Sequence, residues 1–436
     1  MSLLPETGRR VTGIVARAQS AGRAPSVALA VVRDRSLLHF TGAGETPPPD
    51  PKTQYRLGSI TKTLTATMVM QLRDEGFFAL DDLLYRHLPG TSVGGLTLRQ
   101  LLGHVSGLQR EPDGPWWERS AGGDVDQLLA ELADKVAGPP FRTYHYSNLA
   151  YGLLGAVLQR VTGESWTDLV GKRVLDPLGM KRTTYAPVEP YARGYVVHEL
   201  DDSLHEEPRL DAGAMAPAGQ LWSTVTDMAK WAAFLADPAP AVLSRETVDE
   251  MCTPVVIQDD AWTAGHGLGP ELMRVGERVY VGHGGSMPGY NSQLAVHRPS
   301  RTGVIAFANS YGLRGSSIRA LALEVLTTVL DHEPVPAEPW RPAPPADADV
   351  AQLCGRWWWM GREYEVLADG PGLVMRQVTA PEKPPWRFVR ESRDRWRGTA
   401  GMNTGEVLTV LRGPDGAVER LDIATFLFSR DPMHLA

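Results

Sequence analysis

Apolar and polar positions alternate with two different periods along this chain. Residues 8–22 read as a helix, and 26–33 (Ser-Val-Ala-Leu-Ala-Val-Val-Arg) read as a buried strand paired with 37–42. From Leu57 to Glu75 the spacing is helical, with Leu64, Met68 and Leu72 on one face and Gly76 as the stop. A long helical and loop-rich middle follows over about 80–250. Strand patterns return at 278–283, 291–297 and 303–309, and a helix follows over about 315–331. Strands at both ends with helices between them predict an α/β sandwich closed by non-local pairing, with a helical insertion.

Six prolines fall within 334–345, which excludes a helix or a central strand and predicts an extended linker. Beyond it, short alternating runs at 362–367, 373–378, 386–390, 395–398, 406–411 and 418–428 are separated by turns such as Asp369-Gly370 and Asp415-Gly416. Such a meander predicts a small all-β barrel or sandwich. The expected organisation is a catalytic-size unit at 1–333, a linker at 334–348 and an all-β unit at 349–436. No internal repeat or low-complexity tract interrupts it.

Composition removes several function classes. The 436 residues carry a net charge of −7, which argues against nucleic acid or an anionic membrane as partner. The two cysteines cannot form a disulfide framework, and no Cys/His group has zinc-site spacing, so neither metal nor other cofactor is expected. No apolar run approaches the length of a membrane span. The first ten residues lack the apolar core of a secretory signal, so the expected compartment is the cytoplasm.

Three short stretches can carry chemistry. Ser59-Ile60-Thr61-Lys62 follows Gly58 at a helix start, so serine and lysine share a face and the serine sits among unpaired N–H groups that can hold an oxyanion. A hydroxyl needs a neighbour that takes its proton, and lysine does so only when burial lowers its pKa from about 10.4. Only seven lysines occur in the chain, which makes a chance Ser-x-x-Lys less common than usual. Tyr146-Ser147-Asn148 supplies a phenol that can relay or accept a proton and an amide that can orient lysine and substrate; alone, it reads better as a helix-starting cap with core aromatics. Gly282-His283-Gly284-Gly285-Ser286 ends a predicted strand, and its glycines permit close approach of a ligand to the backbone. The Ser286 N–H can serve there as a second oxyanion donor, with His283 donating to a carbonyl or polarising the tyrosine.

In that order the three stretches resemble the serine β-lactamase and penicillin-binding protein superfamily. The likeness is greatest to the branch that holds class C β-lactamases, D-alanyl-D-alanine carboxypeptidases, D-aminopeptidases and family VIII esterases. Supporting phrases are Leu101-Leu102-Gly103-His104-Val105-Ser106-Gly107-Leu108, Asp176-Pro177-Leu178-Gly179-Met180 and Pro217-Ala218-Gly219-Gln220-Leu221-Trp222-Ser223-Thr224. The resemblance spans about 8–330 and implies an antiparallel sheet with a helical subdomain. It makes Ser59 the acylated nucleophile, gives general-base work to Lys62 and Tyr146, and makes Asn148 the orienter. His283, Gly284, Gly285 and Ser286 then flank the acyl group. Position 283 departs from the lysine usual in β-lactamases, and a mostly neutral imidazole holds a carboxylate weakly. The C-terminal unit resembles the small lipocalin-like barrels that follow this domain in D-aminopeptidases and in penicillin-binding-protein-type peptide cyclases.

The expected function is hydrolysis of an ester or amide of a small molecule or D-amino-acid-containing peptide through an acyl-enzyme. The alternatives are a cyclase or transpeptidase, in which an amine resolves that intermediate, and a binding module without turnover. Oligomeric state is left open by the sequence. Trp116 is a candidate for lining the pocket. His104 reads as a buried structural residue, Gly265-His266-Gly267-Leu268-Gly269 as a turn, and acid pairs such as Glu206-Glu207 as solvated loop charges.

Overall fold

The computed structural model describes residues 2–45, 48–132, 138–334 and 347–433. The chain divides into two units, Met1–Val335 and Pro336–Ala436. The proline-rich stretch expected as a linker lies almost wholly outside the described residues.

In the first unit, an eight-stranded antiparallel sheet joins the two ends of the unit. Ser26–Arg33 is flanked on one side by Ser36–Gly44 and on the other by Thr302–Ala308, followed in order by Tyr290–His297, Arg278–Met287, Glu271–Val275, Ala264–His266 and Val256–Ile257. Why Ser26–Arg33 is apolar at nearly every position is plain from its neighbours. Val27, Leu29 and Val31 face the helices Pro5–Gly22 and Ile318–His332, while Ala28, Ala30 and Val32 face the large helical core. A strand covered on both faces cannot show a polar alternation.

The helix Thr61–Asp74 runs through that helical core, and every residue from Thr61 to Leu72 is buried. Its threonines survive burial because each hydroxyl has a partner: Thr63 and Thr67 bond back to Ile60 O and Thr63 O, and Thr65 donates to Pro217 O. Buried polar groups are tolerated only when satisfied in this way. The fold class is therefore that read from the sequence.

The second unit is a closed eight-stranded barrel around Trp357, Phe388, Trp396 and Phe428. Two details differ from the sequence reading. The run 418–428 is two strands, Val418–Ile423 and Phe426–Ser429, because Ala424 and Thr425 turn the chain at φ 51° and 75°. The tryptophan run forms a further strand, Gly355–Trp359, which closes the barrel against Arg362–Asp369 and Phe426–Ser429. In the first unit, Ala264–His266 is a strand and not a turn, paired with Glu271–Val275. Glu207 is buried, not solvated, and takes a bidentate bond from Arg119 at 2.7 and 2.9 Å. Among the described residues no helix is long and apolar enough to cross a membrane.

Candidate active site

Ser59 stands in a single turn, Gly58–Ile60, that opens directly into the helix Thr61–Asp74. Gly58 makes this entry possible: its φ is +54°, and a Cβ there would sit 2.7 Å from Ser286 N. Gly285 is equally constrained, since its Cβ would meet Leu57 O at 2.0 Å. The two glycines let the end of the strand Arg278–Met287 close on the serine turn, which brings the N–H groups of Ser59 and Ser286 to one junction.

Lys62, one helical turn on, is fully buried. Its Nζ donates to Ser59 Oγ at 2.9 Å, to Asn148 Oδ1 at 2.6 Å and to Ala218 O at 2.7 Å. Burial pushes its pKa down to about 7, opposed by the nearby carboxylates Glu111 and Glu118. Three acceptors saturate an ammonium; the neutral amine keeps two of these bonds and gains a lone pair that faces the serine hydroxyl.

Tyr146 and Asn148 are delivered by the start of the helix Asn148–Thr162, whose N-cap Ser147 accepts from Ala150 N. The capping role of Tyr-Ser-Asn is thus real, and it is also what aims the residues on either side. Asn148 Nδ2 donates to both oxygens of Glu111 at 2.9 and 3.0 Å, which fixes the amide so that its oxygen faces Lys62. Trp117 Nε1 completes this chain with a 2.8 Å bond to Glu111. A hydrogen bond with Ser59 favours the Tyr146 phenolate, but burial dominates and pushes the phenol well above its ordinary range. The tyrosine is a neutral phenol at working pH, contrary to the depressed pKa that a phenolate base requires.

These groups border a cleft of about 490 Å³, lined by Ser59, Tyr146 and Asn148 together with His283 to Ser286. Burial pushes the His283 imidazole down to about 4. Trp116 is not among the lining residues; its exposed ring lies 6.5 Å from that of Tyr311, which is.

The family model described as Beta-lactamase matches residues 11–327. The chain belongs to the beta-lactamase family. A model described as a domain of unknown function, DUF7586, matches residues 346–430. Within the beta-lactamase family, penicillin-binding protein 4 of Amycolatopsis lactamdurans is 30% identical over 325 residues, covering 69% of this chain and 83% of that protein. Beta-lactamase-like protein 2 of Dictyostelium discoideum is 30% identical over 266 residues, 57% of this chain, and the match takes in about half (48%) of that relative's length. A D-stereospecific amidohydrolase from Streptomyces sp. superposes with TM-score 0.63 at 26% identity, covering 74% of this chain and 98% of its own. The octameric penicillin-binding protein homologue from Pyrococcus abyssi shares the fold over 97% of this chain and 99% of its own, with TM-score 0.66 and 21% identity.

Several groups in this beta-lactamase-family site escaped the sequence reading. Glu111 and Glu118 lie in a proline- and glycine-rich loop with no periodicity, so nothing in the order of residues marks them. Burial, with Glu111 nearby, pushes the Glu118 carboxyl up to about 7. Glu271 and Arg319 form an ion pair on the cleft wall and arrive from a short strand and a distant helix.

Proposed function

We propose that this protein is a serine hydrolase that cleaves an ester or amide through an acyl-enzyme on Ser59. The observation that carries the proposal is the 2.9 Å contact of a fully buried lysine, with pKa near neutrality, with the serine hydroxyl. Lys62 in its neutral form takes the serine proton as Oγ attacks the carbonyl carbon. Tyr146, a neutral phenol bonded to that hydroxyl, passes a proton to the leaving group and regains one through Lys62. The N–H groups of Ser59 and Ser286 hold the oxyanion. Water then attacks the acyl-enzyme, and the same groups run in reverse.

Charge around the cleft supports a substrate class. His283 is neutral at pH 7, so the position offers no cation for a substrate carboxylate. Glu118 lines the same cleft as Ser59, and its carboxylate favours a ligand ammonium there. An amide or ester of an amino acid, with a free α-amine and no carboxylate at the His283 position, fits both features, while Arg110 and Arg319 also line the cleft. Likeness to an amidohydrolase with D-stereospecificity supports the D series.

Intact-mass measurement across a panel of D- and L-amino-acid amides, p-nitrophenyl esters and a penicillin tests this reading. An adduct on wild type that is absent in Ser59→Ala, and faster turnover of D-amino-acid amides than of the penicillin, are expected. Labelling elsewhere than Ser59, or no adduct with any member of the panel, defeats the proposal.

A further inference from the structure

Behind the Tyr146 ring lies a group of three histidines that the proposed chemistry does not use as a set. His104, His266 and His283 are 0%, 1% and 3% exposed. His104 stacks on Tyr146 at 4.3 Å between ring centroids, His266 meets His104 edge-on at 4.9 Å, and His283 meets His266 edge-on at 5.5 Å. One ring nitrogen from each lies within 4.8 Å of the others. Each ring also keeps one buried nitrogen without a hydrogen-bond partner: His104 Nε2, His266 Nδ1 and His283 Nε2. A buried polar atom left unpaired is destabilising, so three on neighbouring rings call for a shared ligand.

The tautomers decide what that ligand is. Ser147 N–H donates to His104 Nδ1 at 3.1 Å, so this nitrogen carries the lone pair and the ring proton sits on Nε2. His283 Nδ1 lies 2.5 Å from Gly284 O; a carbonyl only accepts, so the proton is on Nδ1 and Nε2 is a bare acceptor. Burial holds all three rings neutral, with His104 and His266 pushed well below their ordinary range. The group therefore presents one donor, one acceptor, and one nitrogen of either sense. A metal ion requires a lone pair from every ligand, and His104 Nε2 has none to give while Ser147 occupies the other side of its ring. Two hydrogen bonds of about 2.9 Å meeting at a tetrahedral angle span about 4.7 Å, inside the 4.8 Å limit that holds for one nitrogen of each ring.

We propose that His104, His266 and His283 together hold one water molecule, as a neutral donor–acceptor ligand, at the floor of the cleft. The water accepts from His104 Nε2–H, donates to His283 Nε2 and makes its third bond with His266 Nδ1, the three-bond complement usual for a buried water. Two of its holders, His266 and His283, also line the cleft. The backbone of His104 is held in the left-handed region at φ +56°, a conformation that a non-glycine residue keeps only where its surroundings enforce it.

Crystals of the full chain, grown without added metal and diffracting to about 1.5 Å or better, test the site directly. A single peak within hydrogen-bond distance of the three nitrogens, with no anomalous signal at the zinc edge and less than a tenth of a metal ion per chain by mass spectrometry, is the expected result. An anomalous peak there, or a visible cobalt band on titration with Co²⁺, makes the site a metal centre and overturns the proposal; so does an empty map at that position. Histidine ¹⁵N spectra of the same protein should show His104 protonated on Nε2 and His283 on Nδ1, and one shared tautomer refutes the assignment. In His266→Phe, with folding checked by thermal melting, the His104 Nε2 proton should exchange with solvent at least tenfold faster. An unchanged rate means that no shared ligand was held.

Discussion

Lys62 Nζ lies closer to Asn148 Oδ1, at 2.6 Å, than to Ser59 Oγ, at 2.9 Å, and the amide is itself held by Glu111. The lysine is thus positioned by Asn148, and Asn148 in turn by Glu111, which is not among the residues lining the cleft. Replacing that support should disturb the chemistry without unfolding the protein. In Glu111→Gln, Asn148 loses a charged acceptor and Lys62 loses a nearby negative charge that favours its ammonium form. The acid limb of the pH–rate profile should move to lower pH, and the plateau should fall by about tenfold as the amine loses its fixed orientation. An acid limb that stays in place would separate Glu111 from the lysine.

The pH dependence of the wild type follows from the same lysine. Its pKa of about 7 means that kcat/KM for a neutral ester should rise with pH through neutrality and then level off. Glu118 titrates in the same range, so the apparent midpoint belongs to the pair. A neutral ester and a cationic amino-acid amide should therefore give different profiles.

Lys62→Met should lose at least three orders of magnitude in kcat while keeping the fold. A folded-state pKa below the unfolded value means that the unfolded chain binds more protons between about pH 7 and 10.5, so wild-type stability falls as pH drops through that window. Methionine is free of that penalty. The stability difference, variant minus wild type, should therefore grow in the variant's favour from pH 9 to pH 7 in urea melts.

Glu118→Gln tests the substrate class. If the carboxylate receives the ligand's ammonium, KM for a D-amino-acid amide should rise about tenfold or more, with p-nitrophenyl acetate hydrolysis little changed. Equal effects on both substrates would place Glu118 in the chemistry and not in recognition.

Gly285→Ala tests the junction that joins the strand end to the serine turn. The new Cβ would lie 2.0 Å from Leu57 O and 2.2 Å from Ser292 Oγ, and the first of these is backbone that cannot swing aside. We expect a loss of about 1–3 kcal/mol in stability and a larger loss in acylation rate at Ser59, measured with a fluorophosphonate. Acylation at the wild-type rate would show that the approach of the two elements is not needed.

Much of this protein is written in the order of its residues. The continuous apolar run at 26–33, the helix after Gly58, the strands near the end of the first unit and the meander beyond the prolines follow from hydrophobic period and turn chemistry, which are local properties. So do Ser59 and Lys62, because three residues along a helix fix one face. Tertiary structure alone decided the rest. Burial of Lys62 by Asn148 and Ala218, contributed by segments 86 and 156 residues away, sets its protonation. Glu111 and Glu118 entered the site from a loop without pattern. Three histidines that look unrelated at 104, 266 and 283 bring one ring nitrogen each within 4.8 Å of the others, from the segment after Leu98–Leu102 and from two strands of the sheet. Local pattern fixes which face a side chain takes, but desolvation and hydrogen-bond sense depend on which distant atoms arrive beside it.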